Sequence, residues 1–188
     1  MKIHRCFSWL ILCAAGSLSA TANAADLDAG ERKAALCLGC HGPQGNSSTA
    51  QFPVLAGQQA VYIANQLKAF KSGNRENSIM TNLAKDLGDE DIANLAAYFA
   101  AQQPKGTGAN DDLAKQGEAK STMCLGCHGA GGKGKGPFPR LAGQHRAYLA
   151  KQLTAFKSGT RKGGPMPAVA AQLSDSDIEA LSAYFSSL

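Results

Sequence analysis

Past its first two dozen residues this chain has no apolar run long enough to cross a bilayer, no strand-like alternation of side chains, and no cysteine outside two short motifs. Each absence excludes something. A membrane-spanning helix takes about 20 apolar residues; the longest apolar stretch, Phe7 to Leu18, has 12 and stands at the N-terminus. Lys2, His4 and Arg5 precede it and Ala22-Asn23-Ala24 follows. That is the layout of a cleavable export signal over residues 1–24, so the mature chain is expected to be exported and soluble, with no transmembrane segment. Bulky Leu12 ahead of Cys13 argues against lipidation there. The lack of strand patterns removes the βαβ setting that a thioredoxin-like dithiol needs. Aromatics do not interleave the lysines Lys133, Lys135, Lys151, Lys157 and Lys162, so no nucleic-acid partner is expected.

Loss of the signal removes Cys6 and Cys13 and leaves four of the six cysteines. It also removes Lys2 and Arg5, so the formal charge falls from +5 to +3. The remaining charge is uneven. Residues 25–106 carry 7 basic and 8 acidic side chains, and residues 107–188 carry 10 and 6. Such an asymmetry makes a dipole that can orient docking with a charged partner.

What the chain does contain is Cys37-Leu38-Gly39-Cys40-His41, repeated unchanged as Cys124-Leu125-Gly126-Cys127-His128. C-x-x-C-H is the attachment signature of c-type haem. Two thiols three positions apart on a helical turn can each add to one vinyl group, and the next residue's imidazole is then held where it can bind the iron. The two motifs use all four cysteines. Free thiols are unusual in an oxidising compartment, and thioether bonds to two haem c groups account for every one. A four-cysteine zinc site would place its pairs closer together and needs no adjacent histidine.

The motifs belong to a duplication. They are offset by 87 positions, and beyond them the offset is 86: Leu55-Ala56-Gly57-Gln58 recurs as Leu141-Ala142-Gly143-Gln144, Tyr62 as Tyr148, Phe70 as Phe156 and Tyr98-Phe99 as Tyr184-Phe185. The expected division is a first domain over 25–103, a linker over 104–111 and a second domain over 112–188. Each unit reads as three main helices, so the fold class is all-α. The first helix runs from about Asp28 into Cys37, and from Leu113 into Cys124. Gly30 and Gly117 sit at matched positions in it, where a close helix crossing would justify a glycine costing about 1 kcal/mol. The second spans Gln59 to Ser72 and Gln144 to Ser158, stopped by Gly73 and Gly159. The third opens on Asp89-Glu90-Asp91, and on Asp175-Ser176-Asp177 after Ser174 as N-cap.

Three methionines remain in the mature chain. Met80 and Met166 recur 39 and 38 residues beyond His41 and His128, in what read as loops. That recurrence marks them as the sixth iron ligands, with His41 and His128 as the fifth. Met123, beside Cys124, is expected to be a packing residue. His145 matches Gln59 in the first copy, so it is expected to be a surface or structural residue rather than a ligand. Residues 129–136 approach a P-loop, but Gly136 stands where the hydroxyl residue belongs and no strand precedes.

With these residues in view, 25–188 resembles the dihaem cytochrome c4 family, two class I cytochrome c domains in tandem. The resemblance covers Pro53-Val54-Leu55-Ala56-Gly57 and Pro139-Arg140-Leu141-Ala142-Gly143, which look like that class's P-x-L-x-G segment. It implies that the carbonyls of Pro53 and Pro139 accept the Nδ1 hydrogens of His41 and His128, and that Leu55 and Leu141 pack on the haems. It further implies a periplasmic electron carrier rather than an enzyme, soluble or loosely membrane-associated, passing one electron per haem between respiratory partners and towards a terminal oxidase. A haem subunit of a larger dehydrogenase, such as a flavocytochrome, is the alternative reading. A dihaem peroxidase, which needs an open iron position, fits less well beside two retained methionines.

Overall fold

The computed structural model describes residues 25–108 and 110–188. The proposed export signal lies outside them. No strand occurs among the described residues, and no helix there is long and apolar enough to cross a membrane. In the first half, α1 (Leu27–His41), α2 (Ala60–Lys71), α3 (Ser78–Ala84) and α4 (Asp89–Ala101) follow in order. The second half has α5 (Asp112–Lys120), α6 (Thr122–His128), α7 (Arg146–Lys157), α8 (Met166–Ala170) and α9 (Asp175–Ser187). In each half the first and last helices, α1 with α4 and α5 with α9, cross tightly, and α2 packs against α4 as α7 does against α9.

The crossing explains the matched glycines. A Cβ on Gly30 would fall on the backbone carbonyl of Asn94, and one on Gly117 on that of Ala180. Both obstacles are main chain and cannot swing aside, so only glycine admits this approach. The entry to α1 is fixed by Asp26: its side chain accepts from Ala29 N at 3.0 Å, and its own N–H donates to the Asn94 amide at 2.8 Å.

The last helices start as their sequences require. Ser174 Oγ accepts from Asp177 N at 3.1 Å while the Asp177 carboxylate accepts from Ser174 N at 3.0 Å, a complete capping box. In the first half Gly88 has no side chain to offer, and only the reciprocal bond to Asp91 remains, at 3.1 Å. Ile92, Leu95 and Phe99, with Ile178, Leu181 and Phe185, are buried as the helical spacing demands.

Two features depart from the sequence reading. The first helix of the second half is broken at Ser121, where the first half has Ala34 in an unbroken α1. The Ser121 hydroxyl donates to the Glu118 carbonyl at 2.8 Å, the local bond by which a serine competes with the helical ladder. The methionines also lie on short helices rather than in open loops. Asn77 caps α3, its amide oxygen accepting from Met80 N at 2.9 Å. Met166 opens α8 with Pro167 in the first turn, where no N–H is needed.

The halves meet through glutamines. Gln144 Oε1 accepts from Val54 N at 2.8 Å and its Nε2 donates to Val54 O at 2.9 Å. Gln58, 86 positions earlier, does the same to Arg140, at 2.7 and 3.0 Å. His145 Nε2 donates to Ser47 O at 3.0 Å, and its counterpart Gln59 donates to Lys133 O at 3.1 Å. The bonds occur in pairs with the halves exchanged, so a pseudo-twofold axis relates the two units.

Candidate metal centres

Cys37 and Cys40 stand one helical turn apart near the end of α1, with His41 as its last residue. Cys124, Cys127 and His128 repeat the arrangement on α6. The first cysteine of each pair is half-buried and the second exposed. Burial pushes the Cys37 thiol up, and neighbouring Cys40 adds to the shift; burial does the same to Cys124. Each pair presents two thiols one turn apart on a helix, the spacing that attachment to two vinyl groups needs.

The histidines are buried, and each is aimed by one bond. His41 Nδ1 lies 2.9 Å from Pro53 O and His128 Nδ1 lies 2.8 Å from Pro139 O. A carbonyl oxygen can only accept, so the proton sits on Nδ1 and the Nε2 lone pair is left for a metal. Burial lowers both imidazole pKa values, partly offset by the bond to the proline carbonyl. The neutral, ligating form is thus favoured at neutral pH. Phe52 and Phe138 stand edge-on to these rings, with centroids 6.1 and 6.3 Å away.

The proline segments are anchored to the turn that follows each histidine. Leu55 N donates to Gly45 O and Leu141 N to Gly132 O, both at 2.8 Å. Leu55 and Leu141 are half-buried and pack on the two core clusters beside Cys37 and Cys124 respectively. Met80 and Met166 are half-buried on α3 and α8, which pack against α2 and α7. Met123 does not pack as expected. It is 56 % exposed, like its counterpart Leu36 at 76 %, because one residue along a helix turns the side chain about 100° from the cysteine's direction.

Each half thus carries two thiols and an imidazole with a free Nε2 on one helix, and a thioether on a short helix that packs against α2 or α7. Among the described residues no three or more His, Cys, Asp or Glu side chains come together to hold a bare metal ion. The donor set fits haem c: thiols for covalent attachment, imidazole and soft sulfur for the iron.

A further set of residues escaped the sequence reading. Arg75 donates to Gln66, Tyr148 and Gln152, and Arg161 donates to Gln152, Tyr62 and Gln66. Each guanidinium also stacks on a phenylalanine, Phe70 at 4.6 Å and Phe156 at 4.4 Å. Retention of Tyr, Gln and Arg at an offset of 86 was the available signal.

The chain matches the Cytochrome c family twice, over residues 27–103 and 114–188. It is 43 % identical over 180 residues to cytochrome c4 of Pseudomonas aeruginosa, covering 88 % of this chain and 90 % of that one. It is 36 % identical over 169 residues to a thiosulfate dehydrogenase electron acceptor of Thiomonas intermedia, covering 81 % and 78 %. The crystal structure of reduced recombinant cytochrome c4 from Pseudomonas stutzeri superposes with a TM-score of 0.81 at 42 % identity, covering 88 % of this chain and all of that one.

Proposed function

The chain belongs to the cytochrome c family as a tandem, dihaem electron-transfer cytochrome, and we propose that it is a periplasmic carrier passing one electron per haem between respiratory partners, towards a terminal oxidase. It is a carrier and not an enzyme. In this reading 25–103 and 112–188 are the haem domains and 104–111 joins them. Cys37, Cys40, Cys124 and Cys127 hold the haems, His41 and Met80 bind the first iron, and His128 and Met166 bind the second. When bound, haem c supplies a one-electron Fe(III)/Fe(II) couple.

The observation that carries the reading is the repeated bond from histidine Nδ1 to a proline carbonyl. It fixes the tautomer, keeps Nε2 on offer and raises the basicity of the ring. Met80 and Met166 would supply a thioether, a soft donor that favours Fe(II) and lifts the reduction potential relative to two histidines. His41 with Met80, and His128 with Met166, would hold the iron of a bound haem and leave it no position for a substrate.

Charge supports a choice of partner. In the second half Lys115, Lys120, Arg146 and Lys157 are paired with carboxylates. Lys133, Lys135, Lys151 and Lys162 have no such pairing among the described residues. Lys162 stands four residues before Met166, where Glu76 stands before Met80. The second domain therefore suits an acidic partner, and exchange rates that ignored ionic strength would rule that docking out.

Spectroelectrochemistry tests the core of the proposal. Two electrons per polypeptide and the weak red-region band of iron–methionine ligation are expected in the oxidised protein. Ready uptake of carbon monoxide at both centres, or fewer than two haems per chain, would overturn it. A second reading, as the haem subunit or acceptor of a dehydrogenase, is favoured by the similarity to the thiosulfate dehydrogenase electron acceptor. Co-purification with a dehydrogenase, and reduction by it on addition of its substrate, would select that reading.

A further inference from the structure

Two large apolar side chains face solvent on α3. Ile79 is 52 % exposed and Leu83 43 %, and a separation of four residues puts them on one face of the helix. The inward side is marked by Ala84, which is fully buried, and by half-buried Met80. One position along a helix is a turn of about 100°, so Met80 turns inward where its neighbour Ile79 turns out. A single exposed leucine is ordinary on any protein surface. Here a pair flanks the residue read as an iron ligand, on a helix of only seven residues.

The charge on this face has one sign. Glu76 precedes the helix and Asp86 follows it; both are exposed, and among the described residues neither has a base within ion-pair distance. Asp86 lies three positions beyond Leu83 and so on its side of the helix, whereas Lys85 is turned about 100° away. Arg75 is spent on Gln66, Tyr148 and Gln152. The second half writes the same surface differently. Lys162, Pro165, Val169 and Gln172 stand at the positions of Glu76, Ile79, Leu83 and Asp86. That face has a base and no acid, and its apolar pair is smaller, with Val169 half-buried.

We propose that the outer face of α3, with Ile79 and Leu83 at its centre and Glu76 and Asp86 at its rim, docks a redox protein whose own contact patch is apolar and ringed by lysines. An apolar centre inside a polar rim is the build of a protein interface. The rim charges select and steer the partner, and burial of the centre holds it. Because α3 also carries Met80, a partner seated there stands beside the first haem, and the electron that one cofactor loses is the one the other gains. The inference rests on the dihaem reading. It gives the first half a partner opposite in charge to the one that suits the second.

The experiment uses the isotope-labelled dihaem protein in its reduced state. The probe is a lysine-rich monohaem cytochrome c with zinc in place of iron, so that binding is read without electron exchange. Amide shifts in the NMR spectrum are expected over residues 76–86, with an affinity that falls as salt rises. I79S/L83S and E76K/D86K should each weaken binding at least about tenfold. L27S, which removes an exposed leucine of α1, should leave the affinity unchanged, and every variant should keep two haems and the wild-type optical spectrum. Absence of binding, shifts confined to other elements, or wild-type affinity in either double variant would overturn the proposal. So would loss of haem or an altered spectrum in I79S/L83S, which would mean that the pair covers the haem instead of a partner. Fewer than two haems in the wild type, seen before any probe is added, would instead overturn the dihaem reading itself.

Discussion

Gln144 holds Val54 by both main-chain groups, accepting from its N–H at 2.8 Å and donating to its carbonyl at 2.9 Å. Val54 follows Pro53, whose carbonyl receives the His41 ring. One glutamine of the second half therefore steadies the segment that aims the histidine of the first, and Gln58 does the converse service for Pro139 through Arg140.

Replacement of Gln144 by alanine leaves a buried N–H and carbonyl without partners, at a cost of about 1–3 kcal/mol. Gln58→Ala is expected to cost a similar amount, because the geometry repeats. Urea midpoints of the holoprotein measure both; a difference within error of the wild type for either would contradict the assignment.

His145 gives a sharper contrast. Its Nε2 donates to Ser47 O as Gln59 donates to Lys133 O. H145Q is therefore expected to be nearly neutral in stability, while H145A loses about 1 kcal/mol or more. Both variants should retain two haems and unchanged optical spectra, since this histidine binds no iron.

The helix crossings tolerate no side chain at two positions. G30A and G117A each gain about 1 kcal/mol of helix propensity but must push a helix off its partner's backbone. Overpacking of this kind costs about 1–3 kcal/mol, so a net loss is expected, read as a lowered thermal midpoint. A stabilised G30A would mean the helices are farther apart than described.

Acid sensitivity should appear at the start of α9. Lys120 and both the hydroxyl and N–H of Ser174 contact the Asp177 carboxylate, holding its pKa well below the ordinary 3.8. A depressed carboxylate contributes stability that is complete above the unfolded pKa and is lost as pH falls through the folded one. D177N should therefore be less stable than wild type near neutrality, with the gap closing in strong acid. Denaturation midpoints at about pH 7 and about pH 2 decide it.

Single removal of a thioether should open one iron and leave the other closed. M80A and M166A are each expected to bind carbon monoxide at one haem of two and to lose about half of the red-region band. The double variant should bind at both. Normal spectra in either single variant would remove that methionine from the ligand set.

Much of this was legible because it repeats. The cysteines, histidines, prolines and methionines stand at near-constant offsets, and Ile92, Leu95 and Phe99 mark a buried face by spacing alone. Short helices around the methionines were missed because seven and five residues are too few to show a period. The break at Ser121 was missed because it depends on where one hydroxyl finds its acceptor. The glutamine clasps and the arginine contacts were hidden for another reason. Polar residues on a helix ordinarily signal solvent, and only the placement of the second half turns that face inward.

The reciprocal bonding across the axis has a historical corollary. A contact in which each side contributes the same groups is isologous, the kind that identical subunits form. One unit bearing Gln58, Tyr62, Gln66 and Arg75 already holds every group that its mate must supply, since Gln144, Tyr148, Gln152 and Arg161 merely restate them. Joining two such units on one polypeptide replaces a concentration-dependent encounter with a tethered one, so the pairing persists however dilute the protein becomes.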